Sequence, residues 1–217
     1  MSKDSYQVFL DAFNIKKDDL YQWGIESTIM PDLDAVADEW ERLKERIFKN
    51  QTVYIRGYGR NAHGTQLYKD LYEAIFGNEN VEKDPTNNNV PQRHIQQLTG
   101  LRRNDDVLNY QVSHIWGRTK NIFLFESPWN ICYTPKLIDP FTGHETRGAW
   151  PEEYQKLFMA YAYSRYKTFI DDYNQLLIDY DIHNKINLYL QSIKSSIAER
   201  EFTQFERDVH REFAPIV

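Results

Sequence analysis

The chain has 217 residues, of which 41% are hydrophobic and 15% aromatic, and this composition predicts a globular protein and excludes a disordered one. The formal net charge of −6 argues against a protein that coats nucleic acid through overall positive charge. The single cysteine, Cys132, excludes an internal disulfide and a zinc knuckle of paired cysteines, so any bound metal must have oxygen and imidazole ligands.

Apolar residues recur at helical spacing in five segments, and the pattern is clearest where Val36, Trp40, Leu43 and Ile47 follow one another. We therefore predict helices at residues 5–13, 33–48, 65–76, 151–180 and 183–198. The fourth helix is long enough to contain one break, and the last two are expected to form a helical hairpin.

Short β-branched and aromatic runs predict strands at residues 52–55, 107–116, 122–125 and 129–133. Residues 135–139 are predicted to open a short helix with proline in its first turn. Residues 77–89 are rich in Asn, Gly and Asp-Pro, which favours an exposed loop that serves as a linker or mobile segment.

The length suits one sizeable core, and we expect a single domain over residues 1–217. No apolar run reaches the roughly 18 residues that span a bilayer, and Met1-Ser2-Lys3-Asp4 lacks the basic-then-apolar order of a signal peptide. A cytoplasmic protein with no membrane partner is expected.

Three side chains suited to phosphodiester hydrolysis follow one another in the middle of the chain. His114 ends a predicted strand, Asn130 lies 16 residues later and Asp139 a further 9 residues on. Hydrolysis with one metal ion needs a base for water, a ligand for the cation and a group that orients the base. Taken singly, each residue has a structural explanation, such as a hydrogen-bonded histidine or a turn-forming Asn or Asp, so the interpretation depends on their combination.

The segment from residue 112 to 145 resembles the ββα-metal finger of the HNH endonuclease superfamily, in a restriction-endonuclease-like member. The resemblance is carried by Val112-Ser113-His114-Ile115, by the run 130–139 and by Gly143-His144-Glu145. It implies an α+β fold in which a mainly helical domain encloses a small HNH-like hairpin. Residues 1–89 would form a mainly helical N-terminal part, residues 90–148 the finger region and residues 149–217 a C-terminal helical part.

By this resemblance His114 is the general base, while Asn130 fixes the hairpin and orients the imidazole. Asp139 is a metal ligand, and its hard oxygen suits one Mg²⁺ or Mn²⁺ per active site. Ser113 stands where many family members have an acidic second ligand. The second ligand is therefore left open between Ser113, His144 and Glu145. Trp116, Trp129 and Phe141 are better explained as core around the hairpin than as platforms for stacked bases.

Residues 90–120 contain five basic side chains and two acidic ones, which is a local positive charge in an acidic protein. A second loop, residues 56–65, combines glycines with two arginines and could seat an anion, although it lacks the ending of a nucleotide-binding P-loop. The predicted DNA-binding residues are Arg118, Lys120, Arg102, Arg103, Arg93, Arg56 and Arg60.

The resemblance implies a metal-dependent endonuclease for double-stranded DNA, as in a type II restriction or other defence system. Cutting both strands is simplest for a homodimer, with the C-terminal helices as a candidate interface. A non-catalytic DNA-binding or protein-interaction module that keeps the finger as scaffold is the alternative, and RNA is a further candidate substrate.

Overall fold

A computed structural model describes residues 4–57, 62–143 and 146–217. The helices in these ranges are α1 (Ser5–Ala12), α2 (Lys17–Glu26), α3 (Leu33–Phe48), α4 (Ala62–Phe76), α5 (Asn89–Thr99), α6 (Ala149–Asp179), α7 (Ile182–Ile193) and α8 (Glu199–Glu212). The strands are β1 (Val53–Ile55), β2 (Val81–Lys83), β3 (Tyr110–His114) and β4 (Ile131–Pro135), and a 3-10 helix covers Asp139–Thr142. The predicted α+β class with mainly helical content is confirmed.

The strongest helical patterns are the best predicted elements. The bounds of α3 are those expected, because its apolar stripe is buried along its whole length. The predicted break in the long helix is also confirmed, since Tyr166 has φ −108° and ψ 16° inside α6. Its hydroxyl donates a 3.1 Å hydrogen bond to the Pro31 carbonyl, so the kink lies where α6 contacts the segment before α3.

The strands form two separate pairs. β1 and β2 are parallel, with Val53 opposite Val81, whereas β3 and β4 are antiparallel, with His114 opposite Ile131. The 3-10 helix follows β4 directly. The predicted order of strand, loop, strand and short helix is therefore present after residue 110.

The prediction of a linker at residues 77–89 is wrong. This segment contains β2, and Asp84 is fully buried at its end. The Asp84 carboxylate accepts hydrogen bonds from the backbone N–H groups of Thr86, Asn88, Asn89 and Val90. The polar residues hold the chain against the core and lead it into α5, which the sequence pattern did not predict.

Residues 122–125 are not a strand, although all four side chains are buried. They lie in turns that Asn121 organises, because its side-chain oxygen accepts the Phe123 N–H at 2.8 Å. Its amide nitrogen donates to the Tyr173 hydroxyl and to the Glu212 carbonyl. The C-terminal part contains three helices rather than the expected hairpin of two, since α8 follows α7.

The main core packs side chains of α3, α4, α6, α7 and α8 around the segment before β4. Trp129 lies at its centre, with its ring centroid 5.5 Å from that of Trp40 and 5.7 Å from that of Trp116. Trp129 and Phe141 are buried, so their predicted core role is confirmed. Trp116 packs against the same cluster but is only partly buried. Among the helices that the structure describes, none combines the length and apolar character needed to cross a membrane.

Candidate active site

A cleft of about 1140 Å³ opens beside the end of β3. One wall contains Ser113, His114 and Asp139, and the loop after β3 continues it. The remaining lining residues come from five regions, namely the segment after β1, the turn before α5, the region around β3, the end of the 3-10 helix and the end of α8. They are Arg56, Gly57, Thr86, Asn87, Asn88, Arg103, Gln111, Val112, Trp116, Gly117, Arg118, Thr119, Lys120, Thr142, Gly143, Arg211 and Glu212.

Ser113 and Asp139 meet in this cleft. Ser113 is the penultimate residue of β3, and Asp139 begins the 3-10 helix that follows β4. The antiparallel register places Pro135, the last residue of β4, opposite Tyr110 at the start of β3. Residues 136–138 then turn back along the hairpin and bring Asp139 to Ser113. The Ser113 hydroxyl donates a 2.5 Å hydrogen bond to Asp139 Oδ1. Two of the predicted site residues are therefore in direct contact.

His114 is the last residue of β3, and its ring is fixed on one side. Its Nε2 lies 2.9 Å from the Phe125 carbonyl oxygen, and its ring stacks on that of Phe125 with centroids 5.4 Å apart. Since a carbonyl oxygen only accepts, the Nε2 atom carries the proton and Nδ1 keeps its lone pair. The pKa of His114 is lowered to about 4, mainly by burial and also by nearby Arg56, while the Phe125 hydrogen bond and the Asp84 carboxylate act in the opposite direction. The imidazole is neutral at neutral pH.

Asn130 is fully buried just before β4 and closes the loop between the two strands. Its side-chain oxygen accepts the Trp116 N–H at 2.9 Å, and its amide nitrogen donates to the carbonyls of Gly117 and Leu124. The predicted role in fixing the hairpin agrees with these bonds. Asn130 is also predicted to orient the imidazole. The ring of His114 bonds to the Phe125 carbonyl, one residue beyond the Leu124 carbonyl that Asn130 binds.

Two comparisons describe the relatives of the chain. A family model described as "Uncharacterised protein PM1201" matches residues 31–217. The chain belongs to the PM1201 family. It is 37% identical over 213 residues to the "Uncharacterized protein PM1201" of Pasteurella multocida (strain Pm70), which covers 97% of this chain and 92% of that relative. No solved structure matches the chain. The PM1201 family match includes all the residues that line the cleft.

Arg118 and Lys120, the two strongest predicted DNA-binding residues, both line the cleft of this PM1201 family member. Gly117 and Arg118 have positive φ values of 63° and 50°, so the chain turns sharply after β3. The Arg118 guanidinium donates to the carbonyls of Ala214 and Pro215. The Lys120 ammonium lies 3.8 Å from the Asp208 carboxylate, and burial lowers the pKa of Lys120. Both cations are therefore held by the C-terminal residues.

The other predicted basic residues divide between the cleft and the outer surface. Arg56 and Arg103 line the cleft, and Arg103 donates a 3.0 Å hydrogen bond to Gln92. Arg102 instead forms exposed ion pairs with Asp105 and Asp106, and Arg93 lies exposed on α5 outside the cleft lining. Arg60 lies outside the described residues, as does most of the glycine-rich loop.

The cleft carries more positive than negative charge. Its lining includes five basic side chains, at positions 56, 103, 118, 120 and 211, and two acidic ones, Asp139 and Glu212. Arg211 was not among the predicted residues, because α8 was not recognised. The signal for α8 is present in the helical spacing of Phe202, Phe205 and Val209.

Asp139 and Ser113, two of the predicted metal ligands, both present oxygen atoms in the cleft. Within residues 4–57, 62–143 and 146–217 no group of three or more His, Cys, Asp and Glu side chains is arranged to hold a metal. Mg²⁺ is nonetheless commonly held by one or two carboxylates, water and substrate phosphate oxygens. In this PM1201 family member the Asp139 carboxylate is one such group, and the Ser113 hydroxyl is bound to its Oδ1. His144 and Glu145, the other two predicted ligands, lie outside the described residues.

Proposed function

We propose that this protein is a metal-dependent endonuclease that hydrolyses phosphodiester bonds in double-stranded DNA. One observation supports the proposal most directly: Ser113, His114 and Asp139 line the same wall of a cleft whose net charge is positive. A neutral imidazole, a carboxylate and several arginines are the groups that cleavage of a polyanion requires.

His114 acts as the general base in this proposal. Its Nε2 proton is engaged by the Phe125 carbonyl, which leaves Nδ1 as the acceptor for a proton from water. Within the described part of the chain no hydrogen bond occupies Nδ1. Because the pKa of His114 is lowered to about 4, the base is unprotonated at neutral pH. Asn130 acts indirectly, by keeping the loop that supplies Leu124 and Phe125 closed against β4.

Asp139 would hold Mg²⁺ or Mn²⁺, with the Ser113 hydroxyl beside it. When bound, such a cation neutralises charge on the scissile phosphate and on the leaving oxygen. The Ser113 hydrogen bond orients the Asp139 carboxylate, while the lone pairs of the serine oxygen are still available to the same ion. We propose that β3, β4 and the 3-10 helix together correspond to an HNH-like finger in which a 3-10 turn replaces the longer helix.

The arginines of the cleft would hold the DNA backbone. Arg56, Arg103 and Arg118 line the same cavity as His114, and a guanidinium offers a fork that matches phosphate oxygens. Their contacts with phosphate position the duplex and carry no sequence information by themselves. Arg118 and Lys120 are less available than Arg56 and Arg103. The Arg118 guanidinium donates to the Ala214 and Pro215 carbonyls, and Lys120 is largely buried beside Asp208 and Glu212.

A homodimer would give this nuclease two active sites, one for each strand, as in type II restriction and other defence nucleases. The candidate interface is the exposed apolar surface of the C-terminal helices. Leu157 and Tyr161 on α6, and Leu188 on α7, are each more than two fifths exposed. Light scattering on the purified protein would test this part of the proposal separately from catalysis.

The decisive experiment is a digest of plasmid DNA with Mg²⁺ or Mn²⁺ by the wild type and by the His114→Ala and Asp139→Ala variants. We expect cleavage by the wild type and a loss of about 10²–10⁴-fold in each variant. The matched controls, His183→Ala and Asp105→Ala, change residues that do not line the cleft and should cleave normally. If the wild type leaves every duplex intact with both metals, the nuclease proposal is wrong.

A non-catalytic DNA-binding module is the second candidate, favoured by the neutral Ser113 at a position where a charged ligand is expected. It predicts that the wild type binds duplex DNA but cleaves none, and that Asp139→Ala leaves binding unchanged. The same digest on structured RNA separates an RNA substrate from DNA, since the assay conditions are otherwise identical.

A further inference from the structure

The C-terminal helix α8 has two opposite faces. Phe202, Phe205 and Val209 are buried in the core. Successive residues of a helix are rotated by about 100°, so positions 200, 207 and 211 lie within about 40° of one another on the side away from these three residues. Arg200, Arg207 and Arg211 are exposed on that side. We refer to these three residues as the α8 arginine row.

The α8 arginine row begins at the cleft and leads away from it. Arg211 lines the cleft itself, whereas Arg200 lies eleven residues earlier, about 16 Å along the helix axis. A shallow depression of about 510 Å³ adjoins the far end of the row. Its lining includes Glu199, Arg200, Thr203, Gln204 and Arg207. A polar and mainly basic surface thus extends the cleft along one side.

The arginines of the row are weakly engaged by the protein. Arg207 and Arg211 contact the Asp208 carboxylate at 3.6 Å and 3.4 Å, while their side chains are 72% and 65% exposed. Their shared partner Asp208 is only 6% exposed, but it also pairs with Lys120 at 3.8 Å, so it keeps a cation when an arginine turns outward. The two guanidinium groups lie mostly in water, which screens their contacts with Asp208. The guanidinium groups can therefore exchange a carboxylate for a phosphate at small cost.

We infer that the α8 arginine row binds the phosphate backbone of the duplex that flanks the segment held in the cleft. This inference rests on the proposed function, since it extends the contact of the same DNA from the cleft to the α8 arginine row. Phosphates recur at about 3.4 Å along each strand, so a row of about 16 Å spans roughly five base pairs of flanking duplex. Arginine suits this contact because its planar fork matches two phosphate oxygens.

The test is a titration of a fluorescent 30-base-pair duplex by anisotropy, in EDTA to prevent cleavage, at salt concentrations between 50 and 200 mM. The variant is Arg200→Ala/Arg207→Ala, and the control is Arg42→Ala/Lys49→Ala. The control removes two exposed cations of α3 that do not line the cleft. Thermal unfolding of each variant checks that the fold is retained.

Loss of two phosphate contacts should make the slope of log affinity against log salt shallower by about 1.8. Between the two salt concentrations the wild type should then lose on the order of ten-fold more affinity than the variant. The control should keep the wild-type slope. Equal slopes for the wild type and the Arg200→Ala/Arg207→Ala variant would overturn the inference and leave the proposed nuclease intact. A wild type that binds no duplex would overturn both.

Discussion

Ser113 and Asp139 are separated by 26 residues in the sequence, yet the serine hydroxyl donates a 2.5 Å hydrogen bond to the aspartate carboxylate. The contact joins the end of β3 to the 3-10 helix after β4 and faces the same cleft as His114. The neutral Ser113 therefore contacts Asp139, one of the two acidic residues in the described part of the cleft lining; the other, Glu212, belongs to α8.

Ser113→Ala should weaken cation binding and leave the chemistry of the base unchanged. Loss of a group that orients a metal ligand typically reduces metal affinity or activity by about 10–100-fold. We expect the Mg²⁺ concentration for half-maximal DNA cleavage to rise by that factor, with near wild-type rates at saturating Mg²⁺. Ser196→Ala, at an exposed serine that bonds to Ile193, is the control. An unchanged Mg²⁺ requirement would exclude this role for Ser113.

His114 should be the neutral Nε2-protonated tautomer at pH 7, because Phe125 offers Nε2 only an acceptor. Two-dimensional nitrogen–proton NMR of the histidine rings, assigned with a His114→Gln variant, distinguishes the two tautomers. Titration should give a pKa of about 4, below the ordinary 6.5, because burial disfavours the charged ring. The imidazole of His114 stays unprotonated at pH 6.5 and becomes protonated only near pH 4, where it can no longer act as a base. DNA cleavage should therefore persist as the pH falls through 6.5 and decline only towards pH 4. Half-protonation near 6.5 would contradict the assignment.

Asn130→Ala should destabilise the protein as well as the site. The substitution leaves the Trp116 N–H and the carbonyls of Gly117 and Leu124 without their side-chain partner. A buried polar group without a partner costs about 1–3 kcal/mol, and partial access of water reduces the total. We expect the free energy of unfolding in urea to fall by about 3 kcal/mol. Asn184→Ala, at an exposed position on α7, should change it by less than about 0.5 kcal/mol.

Asp84→Asn should reduce the free energy of unfolding at pH 7 by about 1–2 kcal/mol, as for the loss of a helix cap. Burial raises the pKa of Asp84, but the N–H groups of Val90 and its neighbours outweigh this and hold the pKa below 3.8. A carboxylate whose pKa is lower in the folded protein than in the unfolded chain stabilises the fold at pH values above its unfolded-state pKa. This stabilisation is lost as the pH falls through the folded-state pKa. The difference between wild type and variant should therefore shrink below about pH 4. Asp105→Asn, at an exposed carboxylate, is the control and should show no such difference at pH 7. A constant difference across this range would show that the charge of Asp84 is not responsible.

The sequence predicts those elements whose side chains carry a strong local pattern. The helix α3 has one continuous apolar stripe, and local periodicity is sufficient to predict it. The grouping of Ser113, His114 and Asp139 is expected from the resemblance to an HNH finger, and these residues do line one cleft.

The remaining features depend on contacts that local pattern does not reveal. β2 is only three residues long and has one buried side chain, and its pairing with β1 joins segments separated by α4. Residues 122–125 are buried on all sides, and a short apolar run does not distinguish a strand from a buried turn. Residues near the C-terminus also contribute to the site, because they form hydrogen bonds with Arg118 and Lys120. No residue spacing within the central segment indicates these contacts.

Cys132 occupies the middle of β4, directly opposite Ser113 in the strand pair. Its side chain is fully buried, and burial raises the pKa of its thiol to about 12. Since the thiolate is the reactive form, alkylating reagents should modify this residue only when β3 and β4 separate. The rate of Cys132 labelling is therefore an intrinsic measure of how often the strands that carry the site come apart. A fluorophore for distance measurements can be attached at a cysteine introduced elsewhere without interference from the native thiol.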